Sequence, residues 1–178
     1  LKKETILLPY NDDKAFEIIE ANSNELSCII VEPVQGSNPR NDIIDFLNKI
    51  QHICKKFDIL FILDEIITGF RLGIGGASKL WNLHPDIITY GKIIGGGLPI
   101  GLVSLTNEIA DRSFGDKSKF VPTGGTFSAN PLVATAGLSV LNILDTKDYN
   151  YINQLGELLR NLVNSYYKKY GIPLSIIG

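Results

Sequence analysis

Two adjacent carboxylates, Asp64 and Glu65, follow directly on the apolar run Phe61-Ile62-Leu63 and lead into a Thr68-Gly69 turn. A lone lysine, Lys92, lies 28 positions after Asp64 and stands between the apolar stretch Ile87-Ile88-Thr89-Tyr90-Gly91 and the glycine-rich Gly95-Gly96-Gly97. A carboxylate at the end of a buried strand is costly unless a cation or donor meets it. An amine among apolar neighbours has its charged form disfavoured by desolvation and is then a nucleophile toward a carbonyl. Taken singly, each feature has a plainer reading: Asp64 and Glu65 could cap the next segment or pair with Arg71, and Lys92 could be a surface lysine in a glycine loop. Taken together they supply what a pyridoxal cofactor needs, an acid to keep a ring nitrogen protonated and an amine to condense with the aldehyde.

These residues must be carried by strands. Ser27–Val31, Ile59–Leu63, Asp86–Tyr90 and Gly101–Leu105 are short, nearly continuous apolar runs, as expected of strands buried on both faces of a mainly parallel sheet. In such sheets ligands sit beyond the carboxyl ends of the strands, where Asp64 and Lys92 would project. Between the first two runs, Ile43, Leu47, Ile50, Cys54 and Phe57 recur at helical spacing within 41–57 and predict a crossover helix. Asn130-Pro131 predicts an N-cap and first helical position. The small residues Ala134, Ala136 and Gly137 in the segment that follows, 132–144, suggest a close-packed, buried helix. A longer amphipathic helix is expected over 149–170, ended by Gly171 with Pro173 beyond. The fold class is therefore α/β, with a change of texture and a domain boundary near 145–148.

Composition limits the remaining classes. The 178 residues are 44% apolar and 20% charged with a net charge of −2, enough for one domain with a real core. No basic stripe tracks a phosphate backbone, so nucleic acid is not an expected partner. No apolar run approaches the ~20 residues that cross a bilayer, so no membrane is expected either. Cys28 and Cys54 lack zinc-site or disulfide-scaffold spacing, which suits a cytoplasmic setting. The glycines follow Lys92 instead of preceding it, which breaks the phosphate-cradling Gly-x-x-x-x-Gly-Lys order; Gly73-Ile74-Gly75-Gly76 likewise misses the dinucleotide pattern. A nucleotide-binding domain is thereby disfavoured. The chain has no methionine and ends in the apolar Ser175-Ile176-Ile177-Gly178, from which a piece of a longer protein is expected.

Four stretches in order, Val31-Glu32-Pro33-Val34-Gln35-Gly36, Leu63-Asp64-Glu65-Ile66-Ile67-Thr68-Gly69-Phe70-Arg71, the run from Thr89 through Lys92 to Gly101, and Gly124-Gly125-Thr126-Phe127-Ser128-Ala129-Asn130-Pro131-Leu132, resemble the class III pyridoxal-phosphate aminotransferases. The Gly-Phe-Arg at 69–71 is most similar to the glutamate-1-semialdehyde aminomutase branch. The Gln-Gly-Ser-Asn-Pro at 35–39 also looks like aminotransferase modules of peptide and polyketide synthases. The resemblance implies fold type I, with residues 1–145 in the large three-layer α/β/α cofactor-binding domain and 146–178 opening the small C-terminal domain. It implies pyridoxal 5'-phosphate as cofactor, held by Lys92 as a Schiff base, with Asp64 on the pyridine nitrogen, Ile66 on one ring face and Gln35 near the phenolic oxygen. It also implies that Gly125 and Thr126 bind the phosphate of the neighbouring subunit's cofactor, hence a homodimer with shared sites. The expected substrate is a small amino acid or aminoaldehyde, handled by a mutase or by a transaminase with a separate donor; a non-catalytic relative of the fold is the contrasting reading. The phosphate-binding loop is expected upstream, leaving this stretch alone inactive. His52, His84 and Trp81 are expected to be a solvated helix residue, a loop residue and a packing residue. The Phe114–Lys119 stretch reads as a surface loop or part of a lid.

Overall fold

Short β-branched runs do become strands, and the computed structural model describes them together with everything in residues 4–40, 42–115, 124–125 and 128–177. β1 (Cys28–Val31), β2 (Leu60–Asp64), β3 (Ile87–Gly91) and β4 (Gly101–Leu105) form one sheet in the order β1-β2-β3-β4. The first three are parallel, as predicted, and β4 runs antiparallel to β3. The connection 92–100 is too short for the crossover that a parallel partner requires, so β4 must turn back.

The crossover helix between β1 and β2 is α2 (Ile44–Phe57), and with α1 (Lys14–Ala21) it covers one face of the sheet. Leu47, Ile50 and Cys54 fall on one stripe and pack with Ile19 of α1 and with Phe61 and Leu63 of β2. Each large side chain removed from water in this way contributes about 1.5–3 kcal/mol. Burial, reinforced by the nearby Asp86 and Cys28, pushes the Cys54 thiol up to about 12, so it packs as a neutral apolar group. α2 closes on Asp58, which takes a left-handed conformation at φ 56°.

Within this chain alone, the expected burial of the strands is met on one face of the sheet only. β2 alternates buried and half-buried residues, Ile30 of β1 is 62% exposed, and β4 is mostly exposed, because α1 and α2 lie on the same side.

Two shorter helices and a turn complete the frame around the strand ends: α3 (Gly76–Leu80), a single 3-10 turn at Lys92–Gly95, and α4 (Asn107–Phe114). α5 (Pro131–Ile143) begins as predicted, with the Asn130 side chain accepting from the amides of Leu132 and Val133. It is not a buried helix, however: only Gly137 is enclosed, where α5 meets the 3-10 turn, and Leu132, Leu138 and Ile143 are exposed. α6 (Thr146–Lys169) starts before the amphipathic pattern does, because Asp145 and Asp148 form a reciprocal capping box. Its buried Tyr149 donates to the Phe70 carbonyl at 3.0 Å, tying the helix start to the turn after β2. Among the described residues no helix is long and apolar enough to cross a membrane, and no cluster of His, Cys, Asp or Glu has metal-binding geometry.

Candidate functional site

The carboxyl ends of β1, β2 and β3 converge on one edge of the sheet. The parallel register pairs Asp64 with Thr89, so the acid ending β2 lies beside the strand that ends immediately before Lys92. Asp64 is half-buried, and its Oδ1 accepts two hydrogen bonds, from the Ile66 amide at 3.1 Å and from Thr89 Oγ1 at 2.9 Å. Among the described residues its Oδ2 takes none. The bond to its own chain two residues on is an Asx-type turn, and it swings Ile66 out over the strand ends. There Ile66 packs against Gly91: a Cβ placed on Gly91 would lie 3.4 Å from Ile66 Cγ2. Gln35 arrives from β1 in a segment fixed by Tyr10, whose hydroxyl donates to the carbonyls of Glu32 and Pro33 at 3.0 and 3.1 Å. The adjacent Gly36 abuts Ile67. Gln35, Asp64, Ile66 and Lys92 are thus gathered at one edge.

Glu65 points the other way. It is fully buried and accepts from Thr68 Oγ1 at 3.0 Å and from the amides of Ala77 and Ser78 at 2.6 and 2.8 Å, capping the start of α3. Gly76, at φ 65°, leaves room that a side chain would deny, since a Cβ there would collide with the Glu65 carboxylate. The two readings of the paired acids therefore divide between them: Glu65 caps the next segment while Asp64 faces the strand ends. Neither forms an ion pair with Arg71 among the described residues.

Lys92 begins the 3-10 turn with a left-handed backbone, φ 48°. For a non-glycine residue this costs about 1–2 kcal/mol, and such outliers concentrate at functional positions. Its side chain is exposed, so the desolvation expected from its apolar sequence neighbours is not provided by the described residues. Ile93 and Ile94 follow it in sequence, but Ile94 turns inward against α5.

Gly125 lines an open cleft of about 870 Å³ together with Pro99, Ile100, Gly101, Leu102, Asn130 and Val133. Its amide donates to Ser128 Oγ at 2.6 Å. Thr126 lies outside the described residues, as do positions 116–119 of the Phe114–Lys119 stretch. His52 is exposed on α2, His84 is exposed in a loop, and Trp81 packs on the core, all as expected.

The donor set fits a pyridoxal ring: a carboxylate with one oxygen pinned and the other open to a donor, an aliphatic side chain beside it, and a primary amine on the neighbouring strand end. The class III aminotransferase family model matches residues 4–176.

The chain belongs to the class III aminotransferases.

It is 38% identical over 186 residues to the glutamate-1-semialdehyde 2,1-aminomutase of Methanosphaera stadtmanae, covering 99% of this chain and 42% of that protein. It is 41% identical over 180 residues to the enzyme of that name from Wigglesworthia glossinidia brevipalpis, covering 98% and 40%. Among solved structures, an omega-transaminase from Sphaerobacter thermophilus superposes with a TM-score of 0.87 at 32% identity, over 97% of this chain and 40% of that one. A transaminase with PLP bound also gives 0.87, at 27% identity, over 98% and 42%. This class III chain thus has the fold type I architecture and spans about two fifths of the length of these relatives. Sequence reasoning gave no role to Thr89, although its signal was present: a short aliphatic hydroxyl three positions before the lysine, following two isoleucines in the strand.

Proposed function

We propose that the protein carrying this chain is a pyridoxal-phosphate enzyme that moves an amino group on a small amino acid or aminoaldehyde, in the manner of glutamate-1-semialdehyde 2,1-aminomutase. The observation that carries the reading is the placement of Asp64 and Lys92 at the carboxyl ends of adjacent parallel strands, with Ile66 packed between them on Gly91. When bound, the cofactor supplies an electron sink for a carbanion at the substrate carbon. Lys92 Nζ would hold the cofactor's aldehyde carbon and, once displaced by the substrate amine, carry the proton taken from the substrate carbon. The Asp64 carboxylate would face the pyridine nitrogen, so that this nitrogen keeps its proton. Ile66 would cover one ring face and limit tilt, and Gln35 would sit near the phenolic oxygen.

On this reading the large cofactor-binding domain takes in residues 1–145 and the small domain begins at 146, where the capping box restarts the chain as α6. Gly125 and Thr126 would serve the phosphate of the neighbouring subunit's cofactor in a cytoplasmic homodimer. The Gly125 amide must then exchange its bond to Ser128 for one to the phosphate. A transaminase using a separate amino donor is the second reading, favoured by the superposition on omega-transaminase.

The test is borohydride reduction of the full-length protein loaded with pyridoxal phosphate. The expected outcome is a pyridoxyl label on the peptide containing Lys92, with both label and turnover abolished in Lys92→Ala. A Lys92→Ala variant that keeps full activity overturns the proposal.

A further inference from the structure

Asp64 is held from β3 as well as from its own chain. Thr89 is its register partner, and the contact is made twice: Thr89 Oγ1 lies 2.9 Å from Asp64 Oδ1, while the Thr89 carbonyl accepts the Glu65 amide at 2.9 Å. The backbone bond belongs to any strand pair, but the hydroxyl bond does not. Ile87 and Ile88 precede it in β3, so an aliphatic residue would satisfy the strand equally well. A β-branched side chain in a strand has few χ1 states, which fixes where the hydroxyl points. With the Ile66 amide on the same oxygen, the carboxylate is pinned through Oδ1 and its rotation is blocked.

We propose that Thr89 is a positioning residue for the cofactor-facing acid: its hydroxyl locks the Asp64 carboxylate so that Oδ2 is presented to the ring nitrogen. This deepens the function proposed above and rests on it. Thr89 need not touch substrate or cofactor; it acts through Asp64. The hydroxyl bond orients a charged group, and loss of one such bond is felt as roughly a tenfold change in the equilibrium it supports.

The experiment uses the full-length protein, titrated with pyridoxal 5'-phosphate and followed by absorbance and by visible circular dichroism, which reports the orientation of the bound ring. Thr89→Val keeps the shape and the strand preference and deletes the donor; Thr89→Ser keeps the donor. Thr89→Val is expected to weaken cofactor binding by roughly tenfold, to change the visible circular dichroism of the loaded protein, and to lower kcat at saturating cofactor more than it raises KM. Thr89→Ser is expected to restore all three toward wild type. A Thr89→Val protein that binds cofactor as tightly as wild type with an unchanged visible spectrum overturns the inference, and so does a Thr89→Ser protein that behaves like Thr89→Val. If Thr89→Val does not fold, Thr89→Ser and Thr89→Ala are compared in its place, with the same readings deciding. The two layers fail separately: wild type that takes up no cofactor, or a label on a lysine other than Lys92, defeats the functional reading and the inference with it. Normal uptake at Lys92 with an indifferent Thr89→Val defeats the inference alone.

Discussion

Asp64 and Glu65 share a backbone and a charge yet end in opposite environments, and the difference comes from their partners. Glu65 is enclosed with three donors, two of them amides at the start of α3, twelve and thirteen residues along the chain. Asp64 sits at the sheet edge with only one oxygen occupied among the described residues. Deleting the Glu65 carboxylate would strand two buried amides and a buried hydroxyl, each costing about 1–3 kcal/mol. Glu65→Ala should therefore lower the unfolding free energy of the full-length protein by about 3 kcal/mol or more in urea denaturation. Asp64→Asn, which keeps an oxygen for Ile66 and Thr89, should leave stability almost unchanged while weakening cofactor binding. Equal stability losses in the two variants would contradict this division of roles. The residues by themselves displayed both acids at the strand end without separating them, which only the family resemblance did, because their deciding partners lie at Thr89 and on α3, distant in the chain and brought near only by folding.

At the scale of elements, Lys92 depends on a helix that never meets it in sequence. The 3-10 turn that it opens is backed by α5 at Gly137, where a Cβ would run into the Ile94 carbonyl. The close approach at Gly137 lets the helix support the turn that Lys92 opens. In the full-length protein Gly137→Val should push α5 off the turn, lowering the melting temperature and loosening cofactor binding together. Leu138→Ala, one residue on and 59% exposed on this chain, should leave cofactor binding unchanged. Retained cofactor affinity in Gly137→Val would show that the turn holds Lys92 unaided. Periodicity was a good guide to β1, β2 and α2, whose apolar patterns are set by burial against one another. It did not reach the direction of β4, set by a short connection, or the start of α6, set by two capping aspartates outside the apolar pattern. The small-residue run in α5 marked a close contact correctly, but the contact is a short patch, Ala136, Gly137 and Val140 against Ile94 and Gly96, and not an enclosed face.

For the molecule as a whole, apolar surface is left over. Ile30 on the sheet and Leu155, Leu158, Leu159, Leu162 and Tyr166 on α6 are all exposed, and the α6 residues recur at helical spacing as one stripe. Contiguous apolar stripes of this kind mark contact surfaces. The chain spans about two fifths of its relatives' length, and on the function proposed above further polypeptide of the same protein is the expected cover. A leucine that stays in water tolerates replacement by a charged residue within about 0.5 kcal/mol. If the stripe is covered in the full-length protein, Leu158→Glu must bury an unpaired carboxylate and lose its apolar contact. Its expected cost is then several times larger, at least about 2 kcal/mol. Thermal melts read the loss, and sedimentation shows whether it is accompanied by dissociation of the assembly. Lys168→Glu, at the far end of the same helix in the exposed last turn, is the control and should leave both unchanged. A Leu158→Glu protein that melts and sediments like wild type would mean that this stripe faces water in the complete enzyme.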